Sequence, residues 1–128
     1  MSNLKFKHTV NSFEQAEDLL CEQDVTDLRV AYNTSLAKIG DGYGIVHHYT
    51  EIIHFHPDGS ATIDANWVSR TTANRLHHYK PEMVERVNSH IARDGAWYGI
   101  TLKNHPGTFD IEQGEKYRIY PDRTVVRV

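Results

Sequence analysis

The chain has one cysteine, four prolines and no long apolar run, and each shortage removes a class of answer. Cys21 alone can neither close an internal disulfide nor build a thiolate zinc cluster within one chain. On the apolar side of a helix it is expected to belong to the core. No stretch approaches the ~20 apolar residues that cross a bilayer. The opening MSNLKFKHTV lacks the apolar run of a secretory signal, so the expected compartment is a reducing cytoplasm. Cations are short as well: 14 Lys and Arg stand against 17 Asp and Glu, a formal net charge of −3. Proteins that coat bare phosphate backbone are usually basic, so general nucleic-acid binding is not expected. The nucleophile elbow G-x-S-x-G is missing, as are the phosphate loop G-x-x-x-x-G-K-[ST] and the zinc helix H-E-x-x-H. The sequence therefore points away from an enzyme.

What is present fits one domain. The length is 128 residues, with 39% apolar and 24% charged, ordinary values for a globular chain. An edge strand is expected over Leu4–Thr9. Ser12 and Gln15 have the spacing of a capping box, and Phe13, Ala16 and Leu20 form one helical stripe. Six carboxylates and no Lys or Arg lie between Ser12 and Asp27. That is a solvated helix face in the plain reading, and an acidic docking helix for a basic partner in the sharper one. Short strands follow at Leu28–Tyr32, Ser35–Ile39, Tyr43–Tyr49, Thr50–Phe55 and Ser60–Asp64. Gly40-Asp41-Gly42 and His56-Pro57-Asp58-Gly59 supply the turns. SRTTANRL reads as a second helix, capped by Ser69 or Thr71 and stopped at Pro81. Val84–Arg93 and Ala96–Leu102 read as a hairpin turning at Asp94-Gly95 in type I′ geometry. Strands at Thr108–Ile111, Tyr117–Tyr120 and Thr124–Val128 complete the chain. The expected fold is α+β: mainly antiparallel strands in a curled sheet, small barrel or sandwich, with two short helices. Residues 1–27 are an N-terminal strand and helix extension, 28–102 the β core, and 103–128 a C-terminal hairpin.

Two constellations could carry chemistry. His54 and His56 are two apart, so on a strand they face one side, as paired imidazole ligands of a metal do. His47, Glu51 or Asp64 could add a third ligand. The denser segment is Asn66–Arg75, with Trp67, Arg70, Thr71, Thr72 and Arg75 inside ten residues. Threonine hydroxyls and free N–H groups at a helix start bind anions, arginine forks a phosphate, and tryptophan offers a stacking face. These five are the candidate ligand-binding residues. The structural alternative makes Trp67 a core anchor, Thr71 a cap and Arg75 a buried tie. Trp97-Tyr98 could line the same cavity or complete the core.

Phe55-His56-Pro57-Asp58-Gly59-Ser60, then Ile63-Asp64, Trp67, Thr71-Thr72 and Arg75-Leu76, resemble a pattern in small bacteriophage-encoded proteins. Asn33-Thr34 and Gly95-Ala96-Trp97-Tyr98 are similar to that family's flanks, and the resemblance spans about residues 30 to 100. It departs at Ala65-Asn66, where the family carries two glycines, and at His77, where it carries Asn. The resemblance implies a setting rather than a reaction: an accessory protein in bacterial cytoplasm. The leading expectation is thus a non-enzymatic anti-defence binder that sequesters a small nucleotide or a host protein, as a homo-oligomer by analogy with sequestering proteins. The alternatives are a metal-dependent hydrolase or nuclease using the His cluster, and a protein-only inhibitor docking through helix 12–23.

Overall fold

A computed structural model describes Phe6 and residues 8–128. Of the strand expected at Leu4–Thr9, Leu4, Lys5 and Lys7 lie outside them, and the described Phe6, His8 and Thr9 are not in a strand. The described residues form two helices and ten strands in an α+β fold, and every strand pairing is antiparallel. Strands β1 (Asp27–Ala31), β2 (Thr34–Ile39), β3 (Gly42–His47), β4 (Thr50–Phe55) and β5 (Ala61–Asp64) run as a meander. A second sheet holds β6 (Val84–Ala92), β7 (Gly95–Leu102) and β8 (Thr108–Glu112). The chain then returns: β9 (Lys116–Ile119) pairs with β5, and β10 (Val125–Arg127) pairs with β9. The first sheet therefore has seven strands, ordered β1-β2-β3-β4-β5-β9-β10, and neither sheet closes into a barrel. Segment 103–128 is shared, with β8 in one sheet and the β9–β10 hairpin in the other.

The period-2 pattern explains the core. Leu36 pairs with Ile45, Ile45 with Ile53 and Ile53 with Ile63, so one row of aliphatics crosses four strands and is fully buried. Each such side chain contributes about 1.5–3 kcal/mol by leaving water. Tyr98, Ile100 and Ile111 of the second sheet join the same core.

Helix α1 (Phe13–Gln23) begins at Ser12, whose Oγ accepts the Gln15 N–H at 3.1 Å. Gln15 Oε1 reaches back to the Asn11 N–H at 2.7 Å, one residue earlier than a standard capping box. Ala16 and Leu20 are buried, while Cys21 is exposed, contrary to its expected place in the core. At 100° per residue it has turned off the Phe13–Ala16–Leu20 stripe. Helix α2 (Arg70–His78) starts at Ser69, the N-cap, whose Oγ accepts the Thr72 N–H at 3.1 Å. Asn11 Nδ2 donates to the carbonyls of His78 and Lys80, satisfying the open end of α2 before Pro81.

Two turns differ from expectation. The β6–β7 turn is Arg93-Asp94, one residue early and with neither residue at positive φ. Pairing Val87 with Ile100 and Ser89 with Tyr98 keeps the apolar residues on the core face, and that register fixes the turn. The β3–β4 turn falls on His48-Tyr49 within the stretch read as strand. Both residues lie at positive φ, 57° and 94°, with no glycine or asparagine to relieve the clash. The double substitution His48→Asn with Tyr49→Gly is expected to raise stability by about 1 kcal/mol, read as a shift in the urea midpoint.

Candidate functional site

A β-bulge organises the middle of the first sheet. Between β3 and β4 the register slips at Ile45/Val46. Ile52 and Ile53 are then both buried, while Glu51 and His54, three apart, meet on the other face at 2.7 Å. Gly42 and Gly44 lie beneath them: a Cβ on Gly42 would strike the Phe55 carbonyl and the His54 ring, and one on Gly44 would strike the Glu51 carboxylate. Gly42→Ala is expected to cost about 2 kcal/mol in urea denaturation, because the opposing carbonyl belongs to the backbone and cannot swing away.

This arrangement bears on the expected metal pair. His54 gives Nδ1 to Glu51, and its Nε2 covers Gly42. His56 gives Nε2 to Thr62 at 2.8 Å. The rings lie 4.6 Å apart at 63°, each engaged with its own neighbour rather than aimed at a shared point. Among the described residues no three His, Cys, Asp or Glu side chains are placed to hold a metal ion.

The five candidate ligand-binding residues separate. Arg75 is buried, and its fork is used inside the protein. Nε donates to Thr34 Oγ1 at 2.7 Å, Nη1 to the Thr71 carbonyl and Nη2 to the Tyr32 carbonyl, both at 2.9 Å. It ties α2 to the β1–β2 turn and leaves no fork for a phosphate. Thr72 is buried too, whereas Arg70 and Thr71 are exposed on the first turn of α2. Trp67 presents its indole to solvent, 67% exposed. Trp97 stacks on His90 away from the core, and Tyr98 is the buried partner of that pair.

A cleft of about 200 Å³ joins Trp67 and Thr72 to His47, His48, Thr50, Ile52 and Asp64. His47 and Thr72 of its lining belong to a polar chain between the two sheets. Tyr98 donates its hydroxyl proton to the Trp67 carbonyl at 2.9 Å and accepts the Ser69 N–H at 3.2 Å. Ser69 Oγ donates to Thr72 Oγ1 at 2.9 Å, and Thr72 Oγ1 lies 3.1 Å from His47 Nδ1. Burial pushes the Tyr98 phenol up, opposed by the Ser69 N–H and the Thr72 hydroxyl. With the Thr72 proton turned towards Tyr98, Thr72 Oγ1 accepts from His47 Nδ1–H, and the lone pair of Nε2 is left over. Nε2 has no partner among the described residues, and no buried side-chain nitrogen or oxygen among them lacks one, so this atom is solvent-accessible on a residue that lines the cleft. Asp64 shapes the rim. Its Oδ1 accepts the Asn66 N–H at 2.8 Å in the turn that presents Trp67.

Burial, then the Arg75 and His48 charges, push His47 down to about 4. The folded pKa lies below the ordinary 6.5, so the unfolded chain takes the proton more readily. The stability His47 contributes is complete above pH 6.5 and is lost as pH falls towards 4. His56, His77 and His78 shift the same way, each mainly through burial. Unfolding free energy is therefore expected to fall between about pH 7 and about pH 4.5, and less steeply in His47→Asn, as read from urea titrations.

The exposed aromatics gather at the same end. The His48 N–H donates to the Asn33 carbonyl at 3.0 Å, which sets the β3–β4 turn beside the β1–β2 turn. Tyr32 is 64% exposed on one turn and Tyr49 fully exposed on the other. Sequence reasoning missed Tyr32 and Tyr49 and weighed His47 and Asp64 only as metal ligands. The available signals were an H-H-Y turn without glycine and the Asp64-x-Asn66 turn before Trp67. A larger cleft of about 350 Å³, lined by Glu14, Phe55, Glu82 and Arg123 among others, holds none of these exposed aromatics. Compared with known proteins, the chain matches no family model, no curated protein and no solved structure.

Proposed function

We propose that the chain is a non-enzymatic phage accessory protein of the bacterial cytoplasm, an anti-defence binder that docks a host protein on the aromatic end of its large sheet. The observation that carries this reading is Trp67 standing exposed on a shallow cleft, with Tyr32 and Tyr49 exposed on the two neighbouring turns, one of which gives His48 to that cleft. Tyrosine and tryptophan give large rigid contact area at low entropic cost and dominate binding hot spots. The cleft is smaller than the ~300–1,000 Å³ of a small-molecule site. The phage setting rests on the sequence resemblance.

A nucleotide is the second reading. Exposed Arg70 and Thr71 at the start of α2 favour it, because a helix N-terminus with a free guanidinium suits a phosphate. The engaged fork of Arg75 weighs against it. Hydrolysis through His54 and His56 loses support because both imidazoles are engaged by neighbours. The acidic face of α1 stays exposed and suits a basic partner.

The test is native mass spectrometry of the protein purified from bacteria, alongside Trp67→Ala. The expected result is a retained polypeptide mass in the wild type that the variant loses. A retained nucleotide mass would move the assignment to the second reading, and a stoichiometric transition metal would overturn both. The same spectrum reports whether the chain self-associates.

A further inference from the structure

The described cleft leaves two acceptors free, beside the Trp67 indole N–H, the Thr50 hydroxyl and the His48 ring, which have no partners among the described residues either. Asp64 uses Oδ1 on the Asn66 N–H, and its Oδ2 has no partner among the described residues. With the Thr72 proton turned towards Tyr98, His47 commits Nδ1–H to Thr72 and leaves the Nε2 lone pair free. The walls are the Trp67 indole and the His47 and His48 rings, which lie 4.3 Å apart. Asp64 is the one carboxylate in the lining, and no Lys or Arg lines the cleft with it. Arg75, whose charge acts on His47, points its three nitrogens at Thr34, Thr71 and Tyr32. A volume of about 200 Å³ holds one long side chain rather than a nucleotide. A free carboxylate oxygen and an imidazole acceptor beside aromatic faces match a flat cation, which stacks on an indole and gives its N–H groups to a carboxylate.

We infer that this cleft takes a single arginine side chain of the docking partner, its guanidinium lying along Trp67 and donating to Asp64 Oδ2 and His47 Nε2. The inference deepens the docking function proposed above and rests on it for the partner, but the anchor chemistry can be tested without the partner. Lysine fits less well, because an ammonium is a compact charge with no plane to stack.

The experiment is an NMR titration of the full chain with N-acetyl-arginine amide, followed at the Trp67 indole N–H and the His47 ring. The indole peak is assigned with Trp67→Phe. The neutral isostere of the ligand, N-acetyl-citrulline amide, is the control. The expected result is saturable shifts at both residues with arginine, at least tenfold weaker with citrulline and in Asp64→Asn. The Asp64→Asn side chain keeps the Oδ1 acceptor that the Asn66 N–H needs, so the turn is retained. Equal binding of citrulline, arginine shifts confined to other residues, or no shifts at all would overturn the anchor. If Asp64→Asn still retained the polypeptide partner, the anchor would fail and the docking function would stand. If arginine bound as expected but no partner were retained, the anchor would stand and the docking function would fail.

Discussion

Arg75→Met is expected to lower the unfolding free energy by about 3 kcal/mol. Methionine keeps most of the stem but none of the donors. Thr34 Oγ1 and the carbonyls of Tyr32 and Thr71 would each lose a charged partner in a site that water reaches poorly. A buried acceptor left unmatched costs about 1–3 kcal/mol, and some of that is recovered by rearrangement, which is why the total is set below the simple sum. Arg75→Lys is expected to recover only part of the loss. One ammonium cannot reach three oxygens spread over the β1–β2 turn and α2. Urea titration at neutral pH checks both variants. A midpoint for Arg75→Met within experimental scatter of the wild type would remove Arg75 from its structural role and return its guanidinium to the candidate ligand contacts.

Trp67→Ala is expected to weaken partner binding by about 2 kcal/mol or more, roughly 30-fold, while leaving stability nearly unchanged. The indole is mostly in water, so its removal forfeits little burial. The backbone of that turn is held independently of the indole, by the Tyr98 hydroxyl on the Trp67 carbonyl and by the Asp64 carboxylate on the Asn66 N–H. Loss of binding together with an unchanged melting temperature separates a contact residue from a structural one. A large drop in melting temperature would mean that Trp67 belongs to the core, as its structural alternative held.

The strands of the meander were legible because their signals are local. The β-branched and aromatic content of Thr50–Phe55, the alternation in Ala61–Asp64, the Pro57-Asp58-Gly59 turn and the Ser12 and Ser69 caps each depend on a few adjacent residues. The path of the tail was not, because nothing adjacent to Lys116–Ile119 says that its partner is β5, more than fifty residues earlier. The bulge was hidden for a related reason. One extra residue on β4 brings Glu51 and His54 to one face, where strict alternation sets them on opposite sides. At Arg75 the information was present in the spacing. It falls three after Thr72 and four before Tyr79, on the stripe that the structure buries, whereas Arg70 lies off it. His47 shows the opposite case. Its neutral state and open Nε2 depend on Thr72 and Arg75, both supplied by a helix more than twenty residues away.

The docking claim is tested most directly by photo-crosslinking in bacterial cells, with a benzophenone amino acid placed at position 49 and, as the control, at position 126. Both sites are exposed, Tyr49 on the aromatic end and Val126 on the far edge strand. The prediction is one discrete protein adduct from position 49 that disappears when Trp67→Ala is combined with it, and none from position 126. Equal adducts from both positions, or an adduct at 49 indifferent to Trp67, would contradict the assignment of this surface.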